Sequence, residues 1–244
     1  MNHQHGPLTI QYRFRFPNGR GLDFELHLDP VTLARRPDMA RPLPSWTALE
    51  FHQCPNCPLD PAVHPDCPAA ANLRSLVEWS GQLWSYDSVR VEVVTPQRVV
   101  SKDTSVQAGV SSLVGLTMAT SGCPHTAFFR PMARFHLPFP STIDTIYRAT
   151  SMYLLAQYFR RKDGGEPDLD LDGLTDIYRN LQIINTAMAA RLRAATERDA
   201  AVNAVIILDV FAQTLPLSIS DSLEEIRHLF TAFLAAGGRP GPAN

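Results

Sequence analysis

The sequence predicts an α+β fold, in which a small, mainly antiparallel β-sheet packs against a C-terminal helical bundle. Alternation of apolar and polar residues, which is typical of half-buried strands, marks the first part of the chain. Apolar residues recur at helical spacing after residue 141, and strands followed by helices are typical of α+β proteins. We therefore divide the chain into a sheet-and-helix portion, 1–140, and a four-helix portion, 141–236, which we expect to form one integrated domain. We expect a disordered tail at 237–244.

An N-terminal hairpin over residues 8–29 supplies the first two strands. Apolar residues alternate with polar ones on both sides of a turn whose asparagine and glycines tolerate positive φ. Pairing Phe16 with Leu22 would place Arg15 opposite Asp23, and opposite charges facing each other across two strands stabilise a sheet. We therefore predict this register, with a charged face that is either solvated or available to a partner.

Two or three further strands and two helices complete the first portion. Pro68 is well placed as the first residue of a helix, and Gly122 as the C-terminal cap of another. The predicted elements are a strand at 46–52, a helix at 68–80, a strand at 89–93, a strand ending near 102 and a helix at 104–122.

Four helices are predicted in the second portion. Asp144 can complete an approximate capping box with Ser141 at the start of the first, and Pro216 is expected to end the third. The predicted spans are 141–161, 169–194, 197–215 and 220–236.

Every cysteine of the chain is followed by proline, at Cys54, Cys57, Cys67 and Cys123. Proline makes up about one residue in twelve, so this coincidence has a probability of roughly 1 in 20,000 from composition alone. Proline holds the preceding residue in an extended conformation and stiffens the loop. The Cys-x-x-Cys spacing of Cys54 and Cys57 lets two thiolates bind one ion, and a helix N-terminus favours the thiolate of Cys67. We predict that the four thiols form one four-cysteine metal centre; the alternative is that they are separate, buried small side chains.

The identity of the metal follows from the ligand set. Four cysteines are typical of a closed structural Zn²⁺ site or of an iron–sulfur cluster. The segment Cys54-Pro-Asn-Cys57 resembles a zinc-ribbon knuckle, although Pro58 stands where ribbons carry glycine. Cysteine followed by proline, as at Cys67 and Cys123, resembles ferredoxin loops, although the compact ferredoxin spacing is absent. We favour Zn²⁺, with a [4Fe–4S] cluster as the alternative.

Three histidines lie near the cysteines in the sequence: His52, His64 and His125. Each could replace a cysteine as a ligand or donate a hydrogen bond to one. Each could equally be an ordinary surface or loop histidine. We prefer His125, because it lies two residues after Cys123.

Composition narrows the functional class. The formal net charge of -2 shows none of the basic excess of nucleic-acid binders. We find no secretory signal and no apolar stretch suited to a bilayer, so we expect a cytoplasmic protein that does not bind membranes. Cysteines stay reduced in that compartment, which favours metal binding over disulfides. The sequence leaves room for a protein partner but identifies neither a partner nor an oligomeric state.

Three functional hypotheses remain. The first is a metal-binding protein in which a single centre of four cysteines has a structural or regulatory role. The second is an iron–sulfur protein that acts in electron transfer or redox sensing. The third is a thiol–disulfide redox protein that uses Cys54 and Cys57, for which the thioredoxin-like context is missing. Common nucleotide-binding and hydrolase motifs are absent, so the sequence favours a non-enzymatic role without deciding the matter.

Overall fold

The computed structural model of the protein describes residues 8–35 and 42–235, and it confirms the α+β fold. One antiparallel sheet contains the strands β1 (Leu8–Arg15), β2 (Gly21–Leu28), β3 (Ser88–Val94) and β4 (Val99–Ser105). The helices of the described residues are α1 (Pro68–Ser80), α2 (Val106–Thr120), α3 (Arg130–Arg134), α4 (Thr142–Lys162), α5 (Asp172–Ala195), α6 (Ala200–Ile226) and α7 (Thr231–Ala235). The tail predicted at 237–244 lies outside the described residues.

The strand order is β2-β1-β3-β4, and the N-terminal hairpin forms in a different register from the predicted one. Phe14 pairs with Leu22, because Phe16 lies within the turn, where its backbone bonds to other turn residues. The shift is by two positions, so each side chain keeps its expected face of the sheet. Arg15 and Asp23 become diagonal neighbours and still form an ion pair.

The buried face of the sheet packs against α1 and α2. The ring of Trp79, on α1, lies 4.9 Å from that of Phe14 and 5.3 Å from that of Phe24, between centroids. Gly109, on α2, approaches the sheet so closely that a Cβ there would lie 2.8 Å from Cγ2 of Val91. Helix α2 also packs against α6, and this contact joins the helical portion to the sheet.

Two predicted helix starts are confirmed. Helix α1 begins at Pro68 and ends at Ser80, as the proline at its first position indicates. Helix α4 has the complete capping box: the Ser141 hydroxyl accepts the N–H of Asp144, and the Asp144 carboxylate accepts the N–H of Ser141.

The prediction that Pro216 ends a helix is wrong. The segment predicted as a helix at 197–215 and the first part of the one predicted at 220–236 belong to a single helix, α6, which continues through Pro216 to Ile226. A proline in a helix interior costs about 3 kcal/mol. Beyond it, Ile226 is buried and Leu223 packs against a core cluster, and this burial favours continuation of the helix.

The strand predicted at 46–52 is also wrong. Ser45–Thr47 forms a single 3₁₀ turn, and one isolated β-bridge joins Ala48 to Asp66. The buried hydroxyl of Thr47 donates a 2.8 Å hydrogen bond to Oδ1 of Asp66. Two backbone hydrogen bonds, from Leu49 to the Pro65 carbonyl oxygen and from Cys67 to the Thr47 carbonyl oxygen, also join the two segments, but they do not extend into a strand ladder.

The buried apolar residues form two clusters. The larger one joins the inner face of the sheet to α1, α2, α5 and α6. The smaller one lies mainly between α4 and α5 and includes Ile146, Tyr153, Leu174 and Tyr178. Among the described helices, none combines the length and the apolar character that crossing a bilayer would require.

Candidate metal centre

Cys54 and Cys57 flank a tight turn, and Cys67 stands at the start of α1. The N–H of Cys57 donates to the carbonyl oxygen of Cys54 at 2.9 Å, so both side chains belong to the same turn. Cys67 is 8% exposed and is the N-cap of α1, with the extended backbone that Pro68 requires. Its N–H donates to the carbonyl oxygen of Thr47 at 2.8 Å, which fixes its position.

Cys123 lies in the loop that follows α2. It comes directly after Gly122, whose φ of +92° is accessible to glycine at little cost. The Thr126 hydroxyl donates to the carbonyl oxygen of Met118 at 2.6 Å, and the N–H of Thr126 donates to the carbonyl oxygen of Cys123 at 3.2 Å. Burial raises the pKa of the Cys123 thiol, and the backbone N–H groups of His125 and Thr126 act in the opposite direction because they favour the thiolate.

Two sets of hydrogen bonds tie the cysteine-bearing segments together. Nε2 of His125 donates to the carbonyl oxygen of Asn56, between Cys54 and Cys57, at 2.7 Å. A carbonyl oxygen can only accept, so this contact places a proton on Nε2. Nδ2 of Asn72, on α1, donates to the carbonyl oxygen of Ser121 at 3.2 Å. The start of α1 is thereby held next to the end of α2.

The thiols of these segments affect one another electrostatically. Burial raises the pKa of Cys54 to about 12, and negative charge on Cys67, Cys123 and Cys57 acts in the same direction. Cys67 likewise acts to raise the pKa of Cys123. All four cysteines are thiols and not disulfides. At neutral pH the Cys54 thiol therefore keeps its proton, which a metal ion would have to displace.

Arg191, on α5, is a buried cation beside this region. It is 1% exposed, and its guanidinium donates to the carbonyl oxygens of Trp46, Ala48 and Leu49 at 2.9, 2.7 and 2.8 Å. Its positive charge acts to lower the pKa of Cys54. Within the described residues it forms no ion pair with a carboxylate, and the three carbonyl dipoles stabilise its charge.

The other two histidines lie at exposed positions. His52 has a φ of +47° and its ring contacts that of Phe51 at 4.7 Å; His64 is exposed in the proline-rich loop. In the described part of the chain, no three His, Cys, Asp or Glu side chains form a group that could hold a metal ion as they stand. The four thiols are thus within electrostatic reach of one another without standing at ligand distances.

Arg191 is the residue that sequence patterns did not single out. It falls on the buried stripe of α5, three positions after Met188 and seven after Ile184. A charged residue at a helix position that otherwise carries apolar side chains is a signal for a buried, partnered cation.

Comparison with known proteins gives one match. No curated protein and no solved structure matches the chain. A family model described as "Domain of unknown function (DUF6901)" matches residues 10–231. The matched region contains all four cysteines, Arg191 and nearly all of the described fold. Because the match covers most of the chain, the protein belongs to this family of domains.

Proposed function

We propose that the protein binds one Zn²⁺ ion through Cys54, Cys57, Cys67 and Cys123, and that this ion has a structural role. The observation that carries the proposal is the hydrogen bonding that holds the two cysteine-bearing loops together, from His125 to the Asn56 carbonyl oxygen and from Asn72 to the Ser121 carbonyl oxygen. A bound ion would join the two proline-rich loops, whose irregular backbone lies outside the sheet and the long helices. Structural zinc contributes folding free energy in such sites.

The charges around the thiols support a negatively charged centre. Four thiolates and one Zn²⁺ carry a net charge of about −2. Arg191 supplies a buried positive charge that acts to lower the pKa of Cys54, and the backbone N–H groups of His125 and Thr126 act to lower the pKa of Cys123. Both features stabilise thiolates once their protons are displaced.

Metal binding requires a local rearrangement of side chains. Zn–S bonds of about 2.3 Å in a tetrahedron place the sulfur atoms about 3.8 Å apart. Proline after each cysteine keeps the backbone extended, so rotation about χ1 is the main adjustment left. The proposal therefore includes a convergence of the four sulfur atoms when the ion binds.

The same four thiols could hold a [4Fe–4S] cluster, the alternative that shares this ligand set. The thiol–disulfide hypothesis is less compatible with the buried environment of Cys54. A reactive redox thiol has a lowered pKa, whereas burial raises the pKa of Cys54 to about 12.

Elemental analysis and absorbance of protein purified without oxygen test the proposal. We expect about one zinc per chain and a colourless solution. Cys123→Ser should lose the zinc and unfold about 5–10 °C lower, because removing a ligand present at about 100 times its Kd lowers stability by about 2.7 kcal/mol. Val63→Ala, an exposed change in the same proline-rich region, is the control and should keep both the zinc and the melting temperature.

Two results would overturn the zinc assignment. One is full zinc retention by Cys123→Ser. The other is wild-type protein that takes up no zinc when the ion is added in excess after reduction. Brown protein with broad absorbance near about 400 nm would instead identify the iron–sulfur alternative.

A further inference from the structure

A cavity of about 360 Å³ lies in the helical half of the molecule, and no cysteine of the described residues lines it. Its walls come from α2, the segment 126–140, α4, α5 and α6, with the end of β4 at one side. Most of the lining is apolar, including Leu116, Met118, Phe129, Met132, Leu181 and Leu208. The volume and the apolar walls are typical of a site for a small organic molecule.

Arg148, on α4, brings a positive charge to this cavity. It is partly buried, and Nη1 donates to the carbonyl oxygen of Leu137 at 3.2 Å. It forms no ion pair within the described residues, and no described residue that lines the cavity is an Asp or Glu. Lys102 adds a second positive charge from the exposed end of the lining. An apolar cavity with these two charges and no carboxylate favours an anion.

Tyr178, on α5, lines the same cavity as Arg148. It is 3% exposed, and its ring packs edge-on against Phe129 at 5.5 Å between centroids. Burial raises the pKa of Tyr178, and the charge of Arg148 acts against that rise. The phenol is therefore neutral and remains a hydrogen-bond donor next to the guanidinium.

Asn185, also on α5, faces the cavity without partners. It is 1% exposed, and neither its amide nitrogen nor its amide oxygen has a hydrogen-bond partner within the described residues. A buried polar group without partners costs about 1–3 kcal/mol, so a native protein retains one only for a reason. A polar atom of a bound molecule would satisfy both the donor and the acceptor.

The Tyr178 hydroxyl and the Asn185 amide lie at two different levels of the cavity. Seven positions separate Tyr178 from Asn185 on one helix, which corresponds to about 10.5 Å along its axis. At about 30 Å³ for each water-sized group, the cavity has room for about a dozen non-hydrogen atoms. A chain of about eight carbons would span the two levels with its apolar part against the apolar walls.

We propose that this cavity binds a small amphipathic carboxylate whose apolar chain carries a second polar group. Arg148 and Tyr178 hold the carboxylate, the apolar walls cover the chain, and Asn185 bonds to the second group. The site is separate from the proposed metal centre and does not depend on it.

Three probes of equal chain length test the proposal on the protein as purified: octanoate, 1-octanol and 8-hydroxyoctanoate. Binding is followed by NMR of the methyl groups of Met118 and Met132, which line the cavity. We expect octanoate to bind about tenfold more tightly than 1-octanol, because a charge-assisted hydrogen bond to Arg148 exists only for the carboxylate. We expect 8-hydroxyoctanoate to bind at least as tightly as octanoate, although its hydroxyl must leave water.

Two variants locate the contacts. Arg148→Gln should weaken octanoate binding about 10- to 100-fold and change 1-octanol binding less than about threefold. Arg160→Gln, an exposed change on the same helix, is the matched control and should bind all three probes like the wild type. In Asn185→Leu, octanoate should bind more tightly than 8-hydroxyoctanoate.

The proposal is overturned if octanoate at millimolar concentration leaves both methionine signals unchanged, or if wild-type protein binds 1-octanol as tightly as octanoate. These two comparisons need no variant, so they decide the matter even if Arg148→Gln does not fold. Octanoate binding by folded Arg148→Gln at wild-type affinity would also overturn it. Weaker wild-type binding of 8-hydroxyoctanoate than of octanoate would overturn the role given to Asn185.

Discussion

Nη2 of Arg191 donates a buried hydrogen bond of 2.8 Å to the carbonyl oxygen of Leu49, and so joins α5 to the segment that leads into the first two cysteines. Nη1 of the same side chain donates hydrogen bonds to the carbonyl oxygens of Trp46 and Ala48. A planar guanidinium can bond to several acceptors in a fixed geometry, which an ammonium group cannot reproduce. One side chain thus shapes an irregular segment that has no strand ladder of its own.

Arg191→Met should therefore be strongly destabilising. It leaves three buried carbonyl oxygens without their donor, and we expect the free energy of unfolding to fall by about 3–5 kcal/mol. Urea denaturation measures the change. Arg193→Met, an exposed position two residues later, should change stability by less than about 0.5 kcal/mol. A loss of under about 1 kcal/mol in Arg191→Met would contradict this account of the segment.

His136 should make stability depend on pH. Burial is the main cause that lowers its pKa to about 3, with positive charge on Arg148 and Arg98 adding to the effect. Its Nε2 shares a buried hydrogen bond of 2.6 Å with the Tyr12 hydroxyl. Between about pH 6.5 and pH 3 the unfolded chain binds more protons at this residue than the folded protein does. The free energy of unfolding therefore decreases as the pH is lowered, by up to about 1.4 kcal/mol per pH unit.

Thermal and urea unfolding between pH 7 and pH 4.5 measure this contribution. His136→Gln keeps a hydrogen-bonding side chain but cannot titrate, so the decrease in stability between these pH values should become smaller than in the wild type. His27→Gln removes an exposed histidine and should leave the wild-type pH dependence unchanged. Equal slopes for His136→Gln and wild type would show that His136 is accessible to protons in the folded state.

Asn185 and Asn180 form a matched pair on α5. Asn185→Leu removes a buried amide without partners, so we expect the ligand-free protein to be unchanged or up to about 2 kcal/mol more stable. Asn180→Leu removes an amide that accepts from Nδ2 of Asn56 at 2.7 Å and donates to the carbonyl oxygen of Asp176 at 3.0 Å, so it should lose about 1–2 kcal/mol. Urea denaturation compares them. Clear destabilisation by Asn185→Leu would mean that the amide has partners in the folded protein.

Gly109 and Gly115 form a second pair, on α2. A Cβ at Gly109 would stand 2.8 Å from Val91 and 3.0 Å from Phe14, so Gly109→Ala should lose about 1–3 kcal/mol by overpacking. At Gly115 the nearest atom, on Leu208, would be 3.4 Å away, which is an ordinary contact. Gly115→Ala should therefore gain about 0.5–1 kcal/mol from helix propensity. Thermal unfolding separates the two, and a stabilising Gly109→Ala would refute the close approach of α2 to the sheet.

Local signals explain which elements could be predicted. Pro68 and the Ser141–Asp144 capping box identify helix starts because their effect involves backbone groups within one helical turn. The prediction that a helix ends at Pro216 was wrong because it considered only the local cost of the proline. Its local cost is real, but the helix continues because residues beyond it are buried against other helices, and this burial cannot be read from neighbouring residues. The hairpin register likewise depended on where the turn begins. The first strand ends at Arg15, one residue earlier than the predicted pairing of Phe16 with Leu22 required.

Some features of the candidate sites are likewise visible in the sequence, and others appear only in the structure. The proline after each cysteine and the apolar stripe of α5 are visible in the sequence, and the prolines made the cysteines candidates for one centre. Leu49, one of the carbonyl partners of Arg191, lies 142 positions before it in the sequence. No local sequence pattern could therefore identify these partners. The unpartnered amide of Asn185 becomes apparent only when the atoms around it are known.

The sequence by itself determined the fold class, the strands of the sheet and the starts of α1 and α4, because periodicity and capping depend on residues a few positions apart. Only the tertiary structure decided that Cys123 lies within electrostatic reach of Cys54, that Arg191 is buried beside them and that a cavity opens between the helices. The physical reason is that these features arise from the packing of elements far apart in the chain. Their energies depend on burial and on long-range partners, which exist only once the elements have come together.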